Sequence, residues 1–358
     1  NGLMITSNPQ YLVEIDVFFI TVPTPVDSSH NPDLSALQSA CELVAKYLKK
    51  DGIVVFESTV YPGCTRNFCL PILSSGSSLS CGEGGFHLVY SPERINPGDR
   101  NHTLSSITKV ISGSSERATS DIREIYGKAL GIELFTASTI EVAEMAKVLE
   151  NVQRDINIAL MNEISRFCNA ESICFKDVLD AARTKWNFCD FKPGLVGGHC
   201  IGVDPYYLLH KAGQIGFPAK LVQLGREVNE SMIGFSVNAI RGFFGSKTSK
   251  NILILGAAFK SNCSDLRNSK HLELADELSK FYAVEVFDPL VTQAEFSEVS
   301  SLQLVSSVDK QCLDGVVICL DHQDEEFQKM KADILGHEDI YLFDLTQSIS
   351  RKRNVMQL

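Results

Sequence analysis

The absences in this sequence narrow its function before any motif is read. It carries no positive excess: 33 lysines and arginines against 44 aspartates and glutamates leave a net charge of -11. That excludes a general nucleic-acid or anionic-membrane surface, so an anionic ligand must be met by local cations. No apolar run reaches the length of a membrane span. The 11 cysteines are scattered with no Cys-x-x-Cys pair, and with no secretory leader they read as reduced thiols of a cytoplasmic protein. No repeat of solenoid spacing and no low-complexity segment is found; the Ser/Gly-rich residues 74–85 read as a surface loop. Nowhere in 358 residues is there a Gly-x-Gly-x-x-Gly turn, the element that seats a dinucleotide pyrophosphate at a helix N-terminus. The first residue is Asn1 rather than Met, which reads as a fragment or a processed chain.

What is present is an alternation. Asp16 to Val22 is a largely apolar run closed by Pro23-Thr-Pro25, the pattern of a buried parallel strand ending in a loop. Residues 34–49 have helical periodicity, with Leu34, Leu37, Cys41, Val44, Ala45 and Leu48 on one face. Strands follow at 53–56, 87–90 and 109–112, the last before a helix starting near Ser115. Such alternation predicts a parallel α/β sheet whose ligands lie beyond the carboxyl ends of the strands, where Thr24, Thr59 and Glu93 fall. A long helix is expected over 140–169, with Lys147, Asn151 and Asp155 four apart on one face; taken alone, that face reads as a solvated stripe. Helices are expected at 175–182 and from 206 through 240. A second α/β unit begins at Asn251 and runs through strands at 284–288, 315–320 and 340–344.

The most informative stretch is Lys192-Pro-Gly-Leu-Val-Gly-Gly-His-Cys-Ile-Gly-Val-Asp-Pro205. Gly197 and Gly198 remove side chains where backbone must approach something closely. Cys200 follows them, and Asp204 comes one helical turn later if a helix starts here. A thiol beside a carboxylate and a glycine loop suits covalent catalysis, although a buried structural cysteine has the same local pattern. His199, Cys200 and Asp204 are too close in sequence for good chelate geometry, so no metal is expected.

Six stretches in order resemble the UDP-glucose/GDP-mannose 6-dehydrogenase family: Val22-Pro-Thr-Pro25, Glu57-Ser-Thr-Val60, Ser91-Pro-Glu-Arg94, Lys147-Val-Leu-Glu-Asn151, Gly197-Gly-His-Cys200 with Asp204, and Gly256-Ala-Ala-Phe-Lys260 with Arg267. Within it, Ser91-Pro-Glu-Arg-Ile-Asn-Pro-Gly98, Asn151-Val-Gln-Arg-Asp-Ile-Asn157, Thr184-Lys-Trp-Asn-Phe188 and the Gly197–Tyr206 stretch look most like bacterial-type UDP-N-acetylhexosamine 6-dehydrogenases of surface-polysaccharide synthesis. The resemblance implies an incomplete N-terminal Rossmann-like NAD domain (1–136), a central helical dimerisation region with the cysteine loop (137–245), and a C-terminal Rossmann-like UDP-binding domain (246–358). It implies NAD as cofactor, a UDP-sugar as substrate and a homodimer through the central helix.

The implied reaction is a four-electron oxidation of a sugar C6 alcohol to the acid. Cys200 would form a thiohemiacetal and then a thioester. Lys147 and Asn151 would stabilise the oxyanion, Asp204 with Thr59 would hold or deprotonate a water, and Glu93 would be the base for thioester hydrolysis. Pro23, Thr24, Thr59 and Arg267 would meet the cofactor. Glu93, Arg94, Ile95, Lys147, Asn151, the Gly197-Gly198 backbone and Lys260 would meet the substrate. Blander roles compete: an ion pair for Arg94, a solvated loop position for Lys260, a helix-start charge for Arg267, and packing for Trp186 and Phe188. The missing glycine turn implies that about 70 to 80 residues of a double βαβ beginning are absent, so that the chain as written would bind NAD poorly and be unstable alone. The competing functions are an inactive nucleotide-sugar-binding remnant, a UDP-glucose or UDP-N-acetylmannosamine dehydrogenase, and a two-electron hydroxyacid dehydrogenase, which has no use for Cys200.

Overall fold

The computed structural model describes residues 4–95, 103, 105–245, 250–349 and 354–357. The chain divides into two compact units, residues 1–152 with 203–219, and residues 153–202 with 220–358.

The first unit is built on a five-stranded sheet. Its elements are β1 (Val17–Ile20), α1 (Ser35–Ala45), β2 (Ile53–Phe56), α2 (Leu70–Ser77), β3 (His87–Tyr90), β4 (Lys109–Gly113), α3 (Glu116–Leu130) and β5 (Leu134–Thr136). The strands lie in the order β1-β2-β3-β4-β5. Ile-Val-Val-Phe of β2 is buried at all four positions, as expected of a strand covered on both faces. Fully burying one such side chain contributes roughly 1.5–3 kcal/mol, so this unpatterned run makes β2 an interior strand of the sheet. Val54 and Phe56 pack with α1 residues Leu37 and Cys41 in one cluster, while Val55 and Val89 pack with α3 residues Ala118 and Ile122 in another. Ser115 caps α3 by accepting from Ala118 N, and Gly131 at φ 63° closes it.

One expectation is corrected here. The sheet is not wholly parallel: β3 and β4 pair antiparallel, with Tyr90 opposite Ser112, whereas β1/β2, β2/β3 and β4/β5 are parallel. The reversal brings the amino end of β4 beside the carboxyl end of β3.

α4 (Ile140–Ala170) starts in the first unit and passes into the second at residue 153. α5 (Phe175–Arg183) follows in the second unit and α6 (Asp204–Gln214) belongs to the first. The helix expected over 206–240 is two helices, since α7 (Lys220–Phe244) begins only after a turn at Gly216, φ 68°. Pro218 adds to that break, because its preceding residue is pushed out of the helical region.

The second unit carries a six-stranded parallel sheet with β6 (Asn251–Leu255), α8 (Lys270–Ser279), β7 (Ala283–Phe287), α9 (Gln293–Val299), β8 (Gln303–Leu304), β9 (Gly315–Ile318), α10 (Glu325–Leu335), β10 (Tyr341–Asp344) and β11 (Val355–Gln357). The order β11-β10-β9-β6-β7-β8 reverses direction between β6 and β9. A crevice forms beyond the carboxyl ends at such a switch point. The loop after β6 leaves there through Gly256, at φ 99°, where an added Cβ would fall 2.6 Å from Leu320 Cβ. That loop leads to Lys260.

Candidate active site

In the first unit the polar face of α4 is not a solvated stripe. Lys147 and Asn151 are buried. Asn151 Nδ2 donates to Asp204 Oδ2 at 2.5 Å, joining α4 to the first residue of α6. Only one of the two amide hydrogens is used in that bond, which leaves the other for a ligand. Asp204 is 2 % exposed, and burial pushes its carboxyl up to about 6, against the Lys147 charge and the Asn151 hydrogen bond, with Glu150 adding to the rise. A carboxyl poised there is ionised at neutral pH and still basic enough to take a proton.

The sign of this shift makes a stability prediction. The folded value lies above the ordinary carboxyl value, so ionising Asp204 costs the fold. Its contribution is full below about pH 4 and is lost as pH rises through 6, on the order of 3 kcal/mol. Asp204→Asn is therefore expected to gain stability relative to the parent between pH 4 and pH 7. Urea unfolding at both pH values checks this, and a constant difference would refute the burial argument.

The loops at the carboxyl ends of β1 and β2 are tied together. Ser58 Oγ donates to Val22 O at 2.6 Å, Thr24 Oγ1 to Thr59 O at 2.7 Å, and Tyr207 OH of α6 to Thr24 O at 2.8 Å. Pro23, Thr24 and Thr59 therefore sit on one braced rim. Glu93 lies past the end of β3, where its Oε1 accepts from the backbone N–H groups of Arg94 (2.6 Å) and Ile95 (2.8 Å). Arg94 makes a fork to Glu150, at 3.2 Å through Nε and 2.5 Å through Nη2, and donates to Thr108 O. The expected ion pair at Arg94 is thus present, and it fixes the loop to α4. Asn96, Pro97 and Gly98 of the same motif lie outside the described residues.

In the second unit, two polar clamps hold the cysteine loop. Asn162 of α4 donates from Nδ2 to Gly194 O (3.0 Å) and accepts at Oδ1 from Gly194 N (2.8 Å); its Nδ2 also meets Asn229 Oδ1 at 2.8 Å. Further along, Gly198 N donates to Asn268 O at 3.1 Å. The glycines make close approaches, but to the chain's own 259–270 segment. A Cβ on Gly197 would fall 2.5 Å from Asn268 O, and one on Gly198, at φ 81°, 2.6 Å from the Phe259 ring. The Gly198 N–H is thus engaged within the fold. Cys200 itself is exposed, which removes the reading of a buried structural cysteine. Its neighbour His199 places Nε2 2.9 Å from Asp265 Oδ2. Arg267, 72 % exposed at its side chain, binds Asp265 through Nε and Nη2 and holds that carboxyl well below its usual range, with the Arg267 N–H and His199 acting in the same direction. Lys260 lies with Nζ 5.4 Å from the Phe259 ring centroid.

Asp155 completes the α4 series differently. It is fully buried and paired with Arg226 (2.6 Å) and Asn229 (2.7 Å) of α7. The sequence reading missed these partners and also missed Asn162, Lys109, Glu57 and Tyr126. A single lysine opening an otherwise apolar strand was the one available signal for Lys109.

The sequence pattern of the UDP-glucose/GDP-mannose dehydrogenase family matches in three parts: its NAD binding domain at residues 2–130, its central domain at 141–231 and its UDP binding domain at 253–350. A UDP-N-acetyl-D-glucosamine 6-dehydrogenase of Pseudomonas aeruginosa is 42% identical over 99% of this chain and 86% of its own length. One from Salmonella typhi is 40% identical over 99% and 85%. Among solved structures, a UDP-D-ManNAc dehydrogenase from Pyrococcus horikoshii superposes with a TM-score of 0.84 at 27% identity, over 98% of this chain and 82% of that one.

Proposed function

We propose, from the premise that this chain belongs to the UDP-glucose/GDP-mannose dehydrogenase family, that it oxidises the C6 hydroxyl of a UDP-N-acetylhexosamine, foremost UDP-N-acetyl-D-glucosamine, to the uronic acid with NAD. The observation that carries the reading is the buried Lys147, Asn151 and Asp204 group, with an exposed thiol four residues before Asp204.

NAD supplies the hydride acceptor for both oxidations. The residues fit its nicotinamide end: Pro23, Thr24 and Thr59 stand on a braced rim at the carboxyl ends of parallel strands, where such ligands bind. This sequence names no glycine turn for the pyrophosphate, and Arg267 is the cation proposed to meet the cofactor's charge.

The chain's own groups divide the chemistry. Asp204 in its ionised form, with Thr59, holds the water that takes the C6 hydroxyl proton. Lys147 and the free Asn151 N–H stabilise negative charge on the C6 oxygen. Cys200 thiolate adds to the aldehyde carbon, so a C–S bond forms and the carbonyl oxygen becomes an oxyanion, the charge assigned to Lys147 and Asn151. Loss of the second hydride leaves a thioester. Glu93 takes a proton from the attacking water; the C–S bond breaks and the thiolate leaves with the bonding pair. Arg94, Ile95 and the Gly197-Gly198 backbone are proposed to line the sugar, and Lys260, at the switch point of the second sheet, to meet the nucleotide half. Aldehyde release would be a leak, and a covalent link prevents it.

The polysaccharide-precursor role places the enzyme in the cytoplasm on this reading. A homodimer through α4 is also proposed. It is supported by Leu160, Ile164 and Phe167, exposed on one face at helical spacing; a monomer mass by sedimentation would refute it. Among the described residues no helix is long and apolar enough to cross a membrane.

Substrate class is tested by comparing kcat/KM for UDP-N-acetyl-D-glucosamine, UDP-N-acetylmannosamine and UDP-glucose. At least about tenfold preference for the first over UDP-glucose is expected, the size of effect one substituent in a fitted pocket gives. Equal values would remove the N-acetylhexosamine assignment while leaving the family reaction intact.

A further inference from the structure

Lys109 is a buried cation to which the reaction above assigns no task. Its side chain is 5 % exposed. Nζ lies 3.2 Å from Glu57 Oε1 and 3.5 Å from Glu93 Oε2, and donates to Pro92 O at 3.3 Å. The Tyr126 ring centroid is 5.1 Å from it, and the Tyr126 hydroxyl donates to Glu57 Oε1. One ammonium is thus shared by two carboxylates at the ends of adjacent strands, β2 and β3. Burying a lysine is costly unless it is paired, and this one is paired with both Glu57 and Glu93.

The strand reversal explains how it gets there. In a parallel strand the first residue lies at the edge remote from the ligand. Because β4 runs against β3, counting the register on from Tyr90↔Ser112 brings Lys109 level with Glu93. Ser91 Oγ donates to Val110 O at 2.8 Å, which pins that extension of the ladder. The Glu93 carboxylate is then fixed at both oxygens: Oε1 by the N–H groups of Arg94 and Ile95, and Oε2 by Lys109. Glu57, left without the ammonium, would repel Glu93 across the same short span.

We propose that Lys109 is a positioning residue for thioester hydrolysis, holding the Glu93 carboxylate on the attacking water by bridging it to Glu57. The proposal rests on the reading of Glu93 as the hydrolytic base. It concerns only the last step, in which water adds to the thioester carbon, its proton passes to Glu93, and Cys200 leaves as thiolate. The oxidations precede Glu93 and do not need Lys109.

The test is pre-steady-state NADH formation, with intact mass measured during turnover on UDP-N-acetyl-D-glucosamine. The variants are Lys109→Met, Lys109→Arg, Glu93→Gln and the double variant Lys109→Met/Glu57→Gln, which avoids stranding a buried carboxylate and keeps the test open if the single variant fails to fold. Lys109→Met, or the double variant, is expected to show a burst of two NADH per subunit, then a steady state slowed about 10- to 100-fold, less than full loss of a base. A uronyl mass on Cys200 should accumulate, and Lys109→Arg should restore most of the rate. Equal slowing of burst and steady state with no adduct would mean a merely structural lysine and overturn the proposal. A full steady-state rate in Lys109→Met, with Glu93→Gln stalled as acyl-enzyme, would overturn it while leaving Glu93 in place. Failure of Glu93→Gln to stall would instead remove Glu93 as the base, and the role of Lys109 with it.

Discussion

Cys200→Ala is expected to abolish uronic acid formation, lowering kcat by about 10⁴-fold, the scale of removing a nucleophile that works as part of a unit. The first hydride transfer does not involve sulfur, so a slow release of aldehyde, with one NADH for each sugar that reacts, should survive. The exposed thiol on a loop clamped by Asn162 and Asn268 argues for this outcome, since substitution should leave the clamps and the fold intact. An unchanged melting temperature would accompany it. Full acid production at the parent rate by Cys200→Ala would remove the covalent route.

The second large effect belongs to Lys147. Replacing it with Met should cost about 10²- to 10³-fold in kcat, the effect of losing one preorganised oxyanion partner. A second readout separates this from simple damage. Lys147 is the leading group holding the Asp204 carboxyl down against burial. Its removal should move the low-pH limb of the activity profile, expected near 6 in the parent, to higher pH. On the proposed mechanism activity falls on the acidic side, because Asp204 acts in its ionised form. A Lys147→Met enzyme with the same limb and only a scaled rate would show that the limb does not report Asp204.

Ile53 to Phe56 and Ile252 to Leu255 read as buried strands because both sheet faces are covered and the runs are apolar throughout. The helix starts near Ser115 and near residue 206 were legible from the sequence, and α3 and α6 begin close to both. The orientation of β4 was not, since Lys-Val-Ile-Ser has the same pattern in either direction. Nor was the burial of Lys147, Asn151 and Asp155, because a charged helical face looks the same whether it meets water or paired charges. Asp155 illustrates this: its partners Arg226 and Asn229 lie more than seventy residues away. The glycines before Cys200 were legible as a close approach, but what they approach, Phe259 and Asn268, is set by tertiary contact alone.

The central claim is that one protein carries a sugar alcohol through two oxidations on Cys200. The most direct measurement is the ratio of NADH formed to UDP-N-acetyl-D-glucosamine consumed at completion, with the product identified by mass. The account predicts two NADH for each sugar and a uronic acid product; one NADH for each sugar with a carbonyl product would contradict it.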